Sequence, residues 1–354
     1  MKAVTYMESQ VDRIKSQGHR TIDAIRRRLG AIVVLLMLLT LVAYKVPSGY
    51  YAFFPGDAVP VTSMVNVEGG TKDALGKFYM TTISAREANF LIYVYARLDS
   101  RVDLKTREEY LPKGMDTVEY NKYLQRLMDE SRAAAAVVGL RAMGIDAKFT
   151  GEGVRVVEVM SDGPANGKLQ QGDVISAVDG VLTNVVEDLT NHMGRVKVSD
   201  TVTFTIQRGG QELSIPLTTV EHPTQKGRAA ARITIETEKP GVSLPVKVEI
   251  DPGNITGPSA GLMFTLEIIN QVDAKHDITH GKRIAGTGTI SPSGTVGPVG
   301  GAPQKVAAAE RAGVEYFLVP ASNLSEAQRT AKRIKLVPVA NVADALSFLE
   351  KLGN

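Results

Sequence analysis

The chain has 354 residues, 44% apolar and 22% charged, which allows two or three domains with buried cores and excludes wholesale disorder. Its 41 Lys and Arg against 38 Asp and Glu leave a net charge of +3, with no basic cluster beyond the N-terminus, so a nucleic-acid footprint is excluded. Cysteine is absent, which removes disulfides, thiolate nucleophiles and Cys-ligated metals.

Residues 1–28 form a basic segment with Lys2, Arg13, Lys15, Arg20, Arg26, Arg27 and Arg28. Leu29 to Tyr44 then reads LGAIVVLLMLLTLVAY without a charge, and Lys45 has a stem long enough to reach the interface before Val46. Residues 29–46 are therefore expected to cross a lipid bilayer as one helix. The basic flank keeps the N-terminus cytoplasmic and puts the rest of the chain outside the cell membrane. A cleaved signal peptide fits poorly, because the charged leader is long and no A-x-A site follows. A buried core helix fits poorly too, since the run has no polar face.

Residues 47–144 read as an extended segment followed by a helical spacer. YYAFFPGDAVPVTSMVNV is rich in β-branched and aromatic residues and lacks a helical period. Helical spacing follows at Leu91, Val94, Tyr95 and Leu98, and again at Tyr120, Leu124, Leu127, Ala134 and Val138, with a break at Leu111-Pro112-Lys113-Gly114. Ala133 to Ala136 favours helix, and Gly144 stops it.

Residues 145–222 change to strand texture. Val154 to Val159, Val174 to Val178 and the alternating Val202, Phe204 and Ile206 predict strands. Gly209-Gly210 turns into a further strand at Leu213, Ile215 and Leu217. One helix interrupts them, with Val186, Leu189 and Met193 on its inner face. After a basic linker, residues 229–354 mix strands and helices and hold the candidate chemistry.

Gly257-Pro258-Ser259-Ala260-Gly261 satisfies G-x-S-x-G, yet only His276 and His280 follow it, too close in sequence for the intervening sheet of a Ser/His/Asp hydrolase. With Asp273 and Asp277 these histidines have metal-like i, i+4 spacing, but the Glu of H-E-x-x-H is missing and no metal is expected. A general base other than His is needed. Lys305 fits: Gly300-Gly301 leads to Pro303 in a first helical turn, and Gly313 closes the helix. The positive helix end and a wall of Val306, Ala307 and Ala309 both favour the neutral amine, which can take a proton from Ser259. Pro258 opens another helix, GLMFTLEIINQV, apolar nearly all round and so expected to be buried, whose first N–H groups would face an oxyanion.

Two resemblances sharpen this reading. GVRVVEVMSDGPANGKLQQGDVISAVDG resembles a bacterial PDZ domain, a small partly open β-barrel. That likeness implies a peptide groove between the strand from Val154 and the helix of Val186, with Gly151, Glu152 and Gly153 at the peptide's end, although this loop lacks the GLGF form. GPSAGLMFTL, IAGTGTISPSGTVGPVGGAPQKVAAAERAG and FLVPASN resemble the proteolytic domain of Lon peptidases. The likeness implies Ser259 as nucleophile, Lys305 as base and Thr287 as the hydroxyl orienting the Lys. It also shows Thr289 where many Lon enzymes have Glu. Together the segments resemble the membrane-anchored, PDZ-containing Lon-like proteases of bacteria. No G-x-x-x-x-G-K-[ST] is present: Gly70 to Gly76-Lys77 has one residue too many, then Phe78.

The expected architecture is thus a multidomain α+β chain: a transmembrane helix, a helical spacer, a PDZ-like small β-barrel and a C-terminal mixed α/β Lon-type proteolytic domain. The expected function is ATP-independent serine endopeptidase activity on unfolded or PDZ-presented polypeptides outside the cytoplasm, with no cofactor. Lon-type domains form rings, so the resemblance implies a homo-hexamer. The rival reading is a PDZ scaffold with an inactive or autoinhibited peptidase fold.

Overall fold

The computed structural model describes residues 28–72, 76–273 and 277–353. The basic residues Lys2 to Arg27 lie outside them. In chain order, helix α1 (Arg28–Lys45) is followed by β1 (Pro47–Pro60), β2 (Val65–Val67), β3 (Lys77–Asn89), α2 (Phe90–Leu98), β4 (Asp103–Thr106), α3 (Arg107–Tyr110) and α4 (Thr117–Ala142). A β-rich stretch contains β5 (Lys148–Thr150), β6 (Val154–Val159), β7 (Val174–Val178), β8 (Val181–Leu182), α5 (Val186–Met193), β9 (Thr201–Arg208) and β10 (Gln211–Thr218). Short strands β11 (Val220–Glu221), β12 (Ala229–Ala230), β13 (Ile233–Thr237), β14 (Gly241–Ser243) and β15 (Val248–Ile250) lead to α6 (Gly261–Val272). The chain ends through β16 (Arg283–Gly286), β17 (Thr289–Ile290), β18 (Val296–Gly297), α7 (Ala302–Arg311), β19 (Tyr316–Pro320), α8 (Leu324–Gln328), β20 (Lys335–Val339) and α9 (Val342–Leu352).

Two compact units divide the chain, residues 1–56 with 83–120, and residues 57–82 with 121–354. In the first, β1 and β4 pair antiparallel from Tyr50 opposite Thr106 to Phe53 opposite Asp103. A small core of Ala52, Ala88, Ala96 and Val102 holds them, joined by Tyr50, Phe54, Ile92 and Leu104. Asn89 caps α2 by accepting from the Ile92 N–H at 2.9 Å, and Thr106 with Glu109 forms a capping box on α3. The apolar spacing in α2 is helical, as its sequence predicts, but the stripe of Leu91, Val94, Tyr95 and Leu98 faces outward. The core takes Ile92 and Ala96 instead.

In the second unit, β3, β16, β19 and β20 run parallel, with Lys77 to Met80 beside Arg283 to Gly286. Helix α6 is buried from Gly261 to Gln271, as its all-round apolar sequence predicts. Its buried polar groups are partnered: Gln271 donates to Val65 O at 3.0 Å and to Glu267 at 2.8 Å, and accepts from the Val67 N–H at 3.0 Å. Against α6 packs α4, whose Met128, Ala134 to Val138 and Leu140 share one core with Leu262, Phe264, Leu266 and Ile268. Gly139 permits the approach, since a Cβ there would stand 2.9 Å from Ile268 Cγ2. The sequence assigned residues 47–144 to an extended segment and spacer and began the proteolytic domain at 229. Instead, residues 57–82 and the core-facing part of α4 belong to the same core as the C-terminal elements. Periodicity shows that a helix has an apolar face and not what covers it.

The β-rich module follows the sequence closely. Strands β9 and β10 form a hairpin through Gly209 and Gly210, both at positive φ, as a primed two-residue turn requires. The LQQGD run is explained by Asp173. Burial favours its neutral form, but the Arg208 guanidinium fork at 2.7 Å and the Gln170 N–H hold its carboxyl below the usual range. Leu189 and Met193 of α5 face this core with Val154, Val156 and Phe204. The sheet runs β10-β9-β7-β6-β13, so its last strand comes from beyond residue 222.

Candidate active site

Gly257, at φ 89°, bends the chain into Pro258 and a single 3-10 turn, Pro258–Ala260, before α6 begins. Ser259 therefore sits on a turn ahead of the helix, half-buried. Helix α4 holds the turn from one side: the Gly257 N–H donates to Leu124 O at 3.1 Å, and Ser131 Oγ donates to Pro258 O at 3.0 Å. From the other side, the Gly288 N–H and the Thr287 hydroxyl both donate to Ser259 O, at 2.9 and 3.0 Å.

Lys305 is the fourth residue of α7, which starts from Gly301 at φ 70° with Pro303 in its first turn. The helix stops at Arg311, and Gly313 follows at φ 68°. Only 3% of Lys305 is exposed, and burial pushes its amine down to about 8. Val306 and Ala309 are buried in the supporting core, but Ala307 is half-exposed and is no part of that wall. The Lys305 Nζ lies 2.8 Å from Ser259 Oγ, 3.1 Å from Thr287 Oγ1 and 3.1 Å from Thr81 O. Among the described residues no carboxylate forms an ion pair with it.

These three neighbours fix how a neutral amine is oriented. Thr81 O is a carbonyl and only accepts. The Thr287 hydroxyl has committed its proton to Ser259 O, so toward Lys305 it accepts as well. Both amine N–H bonds are thereby taken, and the lone pair is left for Ser259 Oγ.

Two contributors escaped the sequence. Thr81 acts through a backbone atom, which no side-chain pattern marks. Ser131 had a weak signal, as a hydroxyl beside the Ala-rich run of α4. The α6 N–H groups expected at an oxyanion are spent: Gly261 donates to Pro258 O, and Leu262 to Gly288 O at 3.1 Å. Thr289 is half-buried at the start of β17. Asp277 closes a turn, accepting from the N–H groups of Thr279 and Gly281 at 2.8 and 2.9 Å. His276, the other half of the metal-like pair with His280, lies outside the described residues.

The expected peptide groove is occupied by the chain itself. Strand β13 pairs antiparallel with β6, placing Thr237 opposite Val154 and Ile235 opposite Val156. The Glu152 N–H donates to Glu238 O, and the Glu238 N–H donates to Gly153 O, both at 2.9 Å. The Val186 N–H is taken by Thr237 Oγ1 at 3.1 Å, and a Cβ on Gly151 would collide with Thr237 Cγ2. Gly151, Glu152, Gly153, Val154 and Val186 thus seat residues 233–238, a pairing invisible to a reading that ended the module at 222. A cavity of about 420 Å³ lies between Leu189 and Met193 of α5 and Ile233 and Ile235 of β13, whose outer edge has no partner strand among the described residues.

Residues 141–219 match the family model of the PDZ domain, and residues 239–349 match that of the Lon protease (S16) C-terminal proteolytic domain. A Lon protease of Neorickettsia sennetsu is 34% identical over 96 residues, covering 26% of this chain and 11% of that protein. A Lon protease of Metamycoplasma arthritidis is 28% identical over 244 residues, 65% of this chain and 28% of its own length. The chain thus spans less than a third of the length of these curated relatives. The crystal structure of the PDZ domain of an SdrC-like protein from Listeria monocytogenes is 28% identical, covering 25% of this chain and 92% of its own, with a TM-score of 0.23.

Proposed function

We propose that this chain, which carries a PDZ domain and a Lon-type proteolytic domain, is a membrane-anchored, ATP-independent serine endopeptidase with Ser259 as nucleophile and Lys305 as general base. The observation that carries the proposal is the buried amine with its lone pair aimed at a hydroxyl 2.8 Å away.

In the proposed mechanism the neutral Lys305 takes the Ser259 proton as Oγ attacks a peptide carbonyl, then delivers it to the leaving amine. A water repeats the attack on the acyl-enzyme, with Lys305 again the base. Thr287 and Thr81 O position the amine, and Thr287 also holds the nucleophile's own carbonyl. Positioned proton transfer of this kind contributes roughly 10² to 10⁴ in rate.

Helix α1 supports the anchor: Arg28–Lys45 is long and apolar enough to cross a bilayer, and none of it is buried. The basic flank supports a cytoplasmic N-terminus, with the catalytic domain outside the cytoplasm. The likeness to Lon-type domains, which form rings, supports a homo-hexamer. The edge of β13 beside α5, which pairs with no strand among the described residues, supports a place where an extended polypeptide adds as a further strand and is presented for cleavage. A casein or fluorogenic-peptide assay on the detergent-solubilised chain, with Ser259→Ala and Lys305→Ala, tests the enzyme. Equal turnover in all three proteins would leave a peptide-binding scaffold as the better reading.

A further inference from the structure

Helix α2 shows its apolar stripe to the outside. Phe90 is 49% exposed, Val94 41%, Tyr95 48% and Leu98 82%, with Leu91 beside them. The opposite face, Ile92 and Ala96, is the one the small core holds. A continuous apolar stripe on one helix marks a surface that something covers.

Its position identifies the cover. The first N–H of α2, that of Phe90, donates to Val46 O at 3.0 Å, and Val46 is the residue after α1 ends. The start of α2 is thus tied to the point where the chain leaves α1. Polar groups around the stripe suit a headgroup layer. Lys45 and Arg97 are exposed and cationic. The one acid at the helix end, Asp99, is held by Arg101 at 2.7 and 2.9 Å and accepts from the Tyr95 hydroxyl at 2.7 Å. Glu87, one turn before the helix, accepts from the Tyr51 hydroxyl at 3.1 Å. Tyr44 on α1 and Tyr95 on α2 each carry an apolar ring with a polar tip, the residue type that collects at membrane–water boundaries.

We propose that α2 is an interfacial helix whose stripe of Phe90, Leu91, Val94, Tyr95 and Leu98 lies among the headgroups and upper acyl chains of the bilayer that α1 spans. Its basic rim favours anionic lipid. This inference rests on the anchored reading above. It gives the first unit a second membrane attachment, which restricts tilting of the chain about α1.

The absence of cysteine makes the test direct. Leu36→Cys, Val94→Cys, Leu98→Cys and Glu108→Cys variants of the full chain are each labelled with an environment-sensitive fluorophore. They are reconstituted in vesicles of phosphatidylcholine and phosphatidylglycerol carrying a spin-labelled quencher, placed either near the headgroup or deep in the acyl chain. The expected result is a blue shift and strong loss of fluorescence at positions 94 and 98 with the shallow quencher. Position 36 responds to the deep quencher, and position 108 to neither. Should 94 and 98 behave like 108 while 36 is quenched, the anchor stands and the interfacial helix is refuted. Labels at 94 and 98 that are shielded from aqueous iodide yet untouched by lipid quenchers also refute it, and assign the stripe to a second copy of the chain. No quenching at 36 removes the anchor and the inference with it.

Discussion

Lys305 Nζ stands 2.8 Å from Ser259 Oγ across 46 positions of sequence, one on the first turn of a helix and the other on a 3-10 turn ahead of a different helix. If this pair performs the chemistry, Ser259→Ala and Lys305→Ala each lower kcat by about a thousandfold or more, and the double variant is little worse, because the two act as a unit. Peptide turnover measures the loss, and far-UV circular dichroism checks that each variant is folded.

If Lys305 is the base, activity is expected to follow the neutral amine. With Lys305 near 8, about one molecule in ten is neutral at pH 7, so kcat/KM climbs roughly tenfold per pH unit below that value and levels above it. A profile that stays level between about pH 6 and 9 sinks the role given to Lys305.

The same burial affects stability. The folded value lies below the roughly 10.4 of an unfolded Lys, so between about 8 and 10.4 the unfolded chain binds the proton that the folded chain has lost. Stability from this group therefore rises with pH across that window. Below it the charged amine is buried at the full penalty of roughly 3 kcal/mol. Lys305→Met removes the penalty, less the cost of the freed Thr81 carbonyl. Its stability relative to the parent is expected to be greatest near pH 7 and to shrink by about 2.5 kcal/mol toward pH 10. Urea titrations at the two pH values read it, and a difference that does not change with pH contradicts it.

Thr287→Val keeps the shape and removes both hydroxyl contacts, to Ser259 O and to Lys305. The expected effect is a loss of about ten- to a hundredfold in kcat with little change in KM, and a displaced pH midpoint. Thr287→Ser, which restores the hydroxyl, recovers much of the rate. A pure KM effect would point to substrate binding instead.

Leu140 tests whether α4 is part of the core built around α6, since it is fully buried there. Leu140→Ala is expected to lower stability by about 2 to 5 kcal/mol, as for a core cavity. A change within about 0.5 kcal/mol, the usual range for surface positions, would return α4 to the status of a spacer.

Short-range order was legible in the sequence. The Gly209-Gly210 hairpin, the turn at Pro258, the helix with Pro303 in its first turn and the uncharged run from Leu29 follow from residues a few positions apart, where periodicity and turn chemistry act. Ser259, Lys305 and Thr287 could be named because each lies in a compact motif. Only the tertiary structure decided what those pieces touch: α4 against α6, Thr81 O on the Lys305 amine, β13 along β6, and α2 turned with its stripe outward. Each of these depends on packing between segments distant in sequence. An apolar face lowers its free energy against any surface that excludes water, so its pattern records the need for cover without naming the partner.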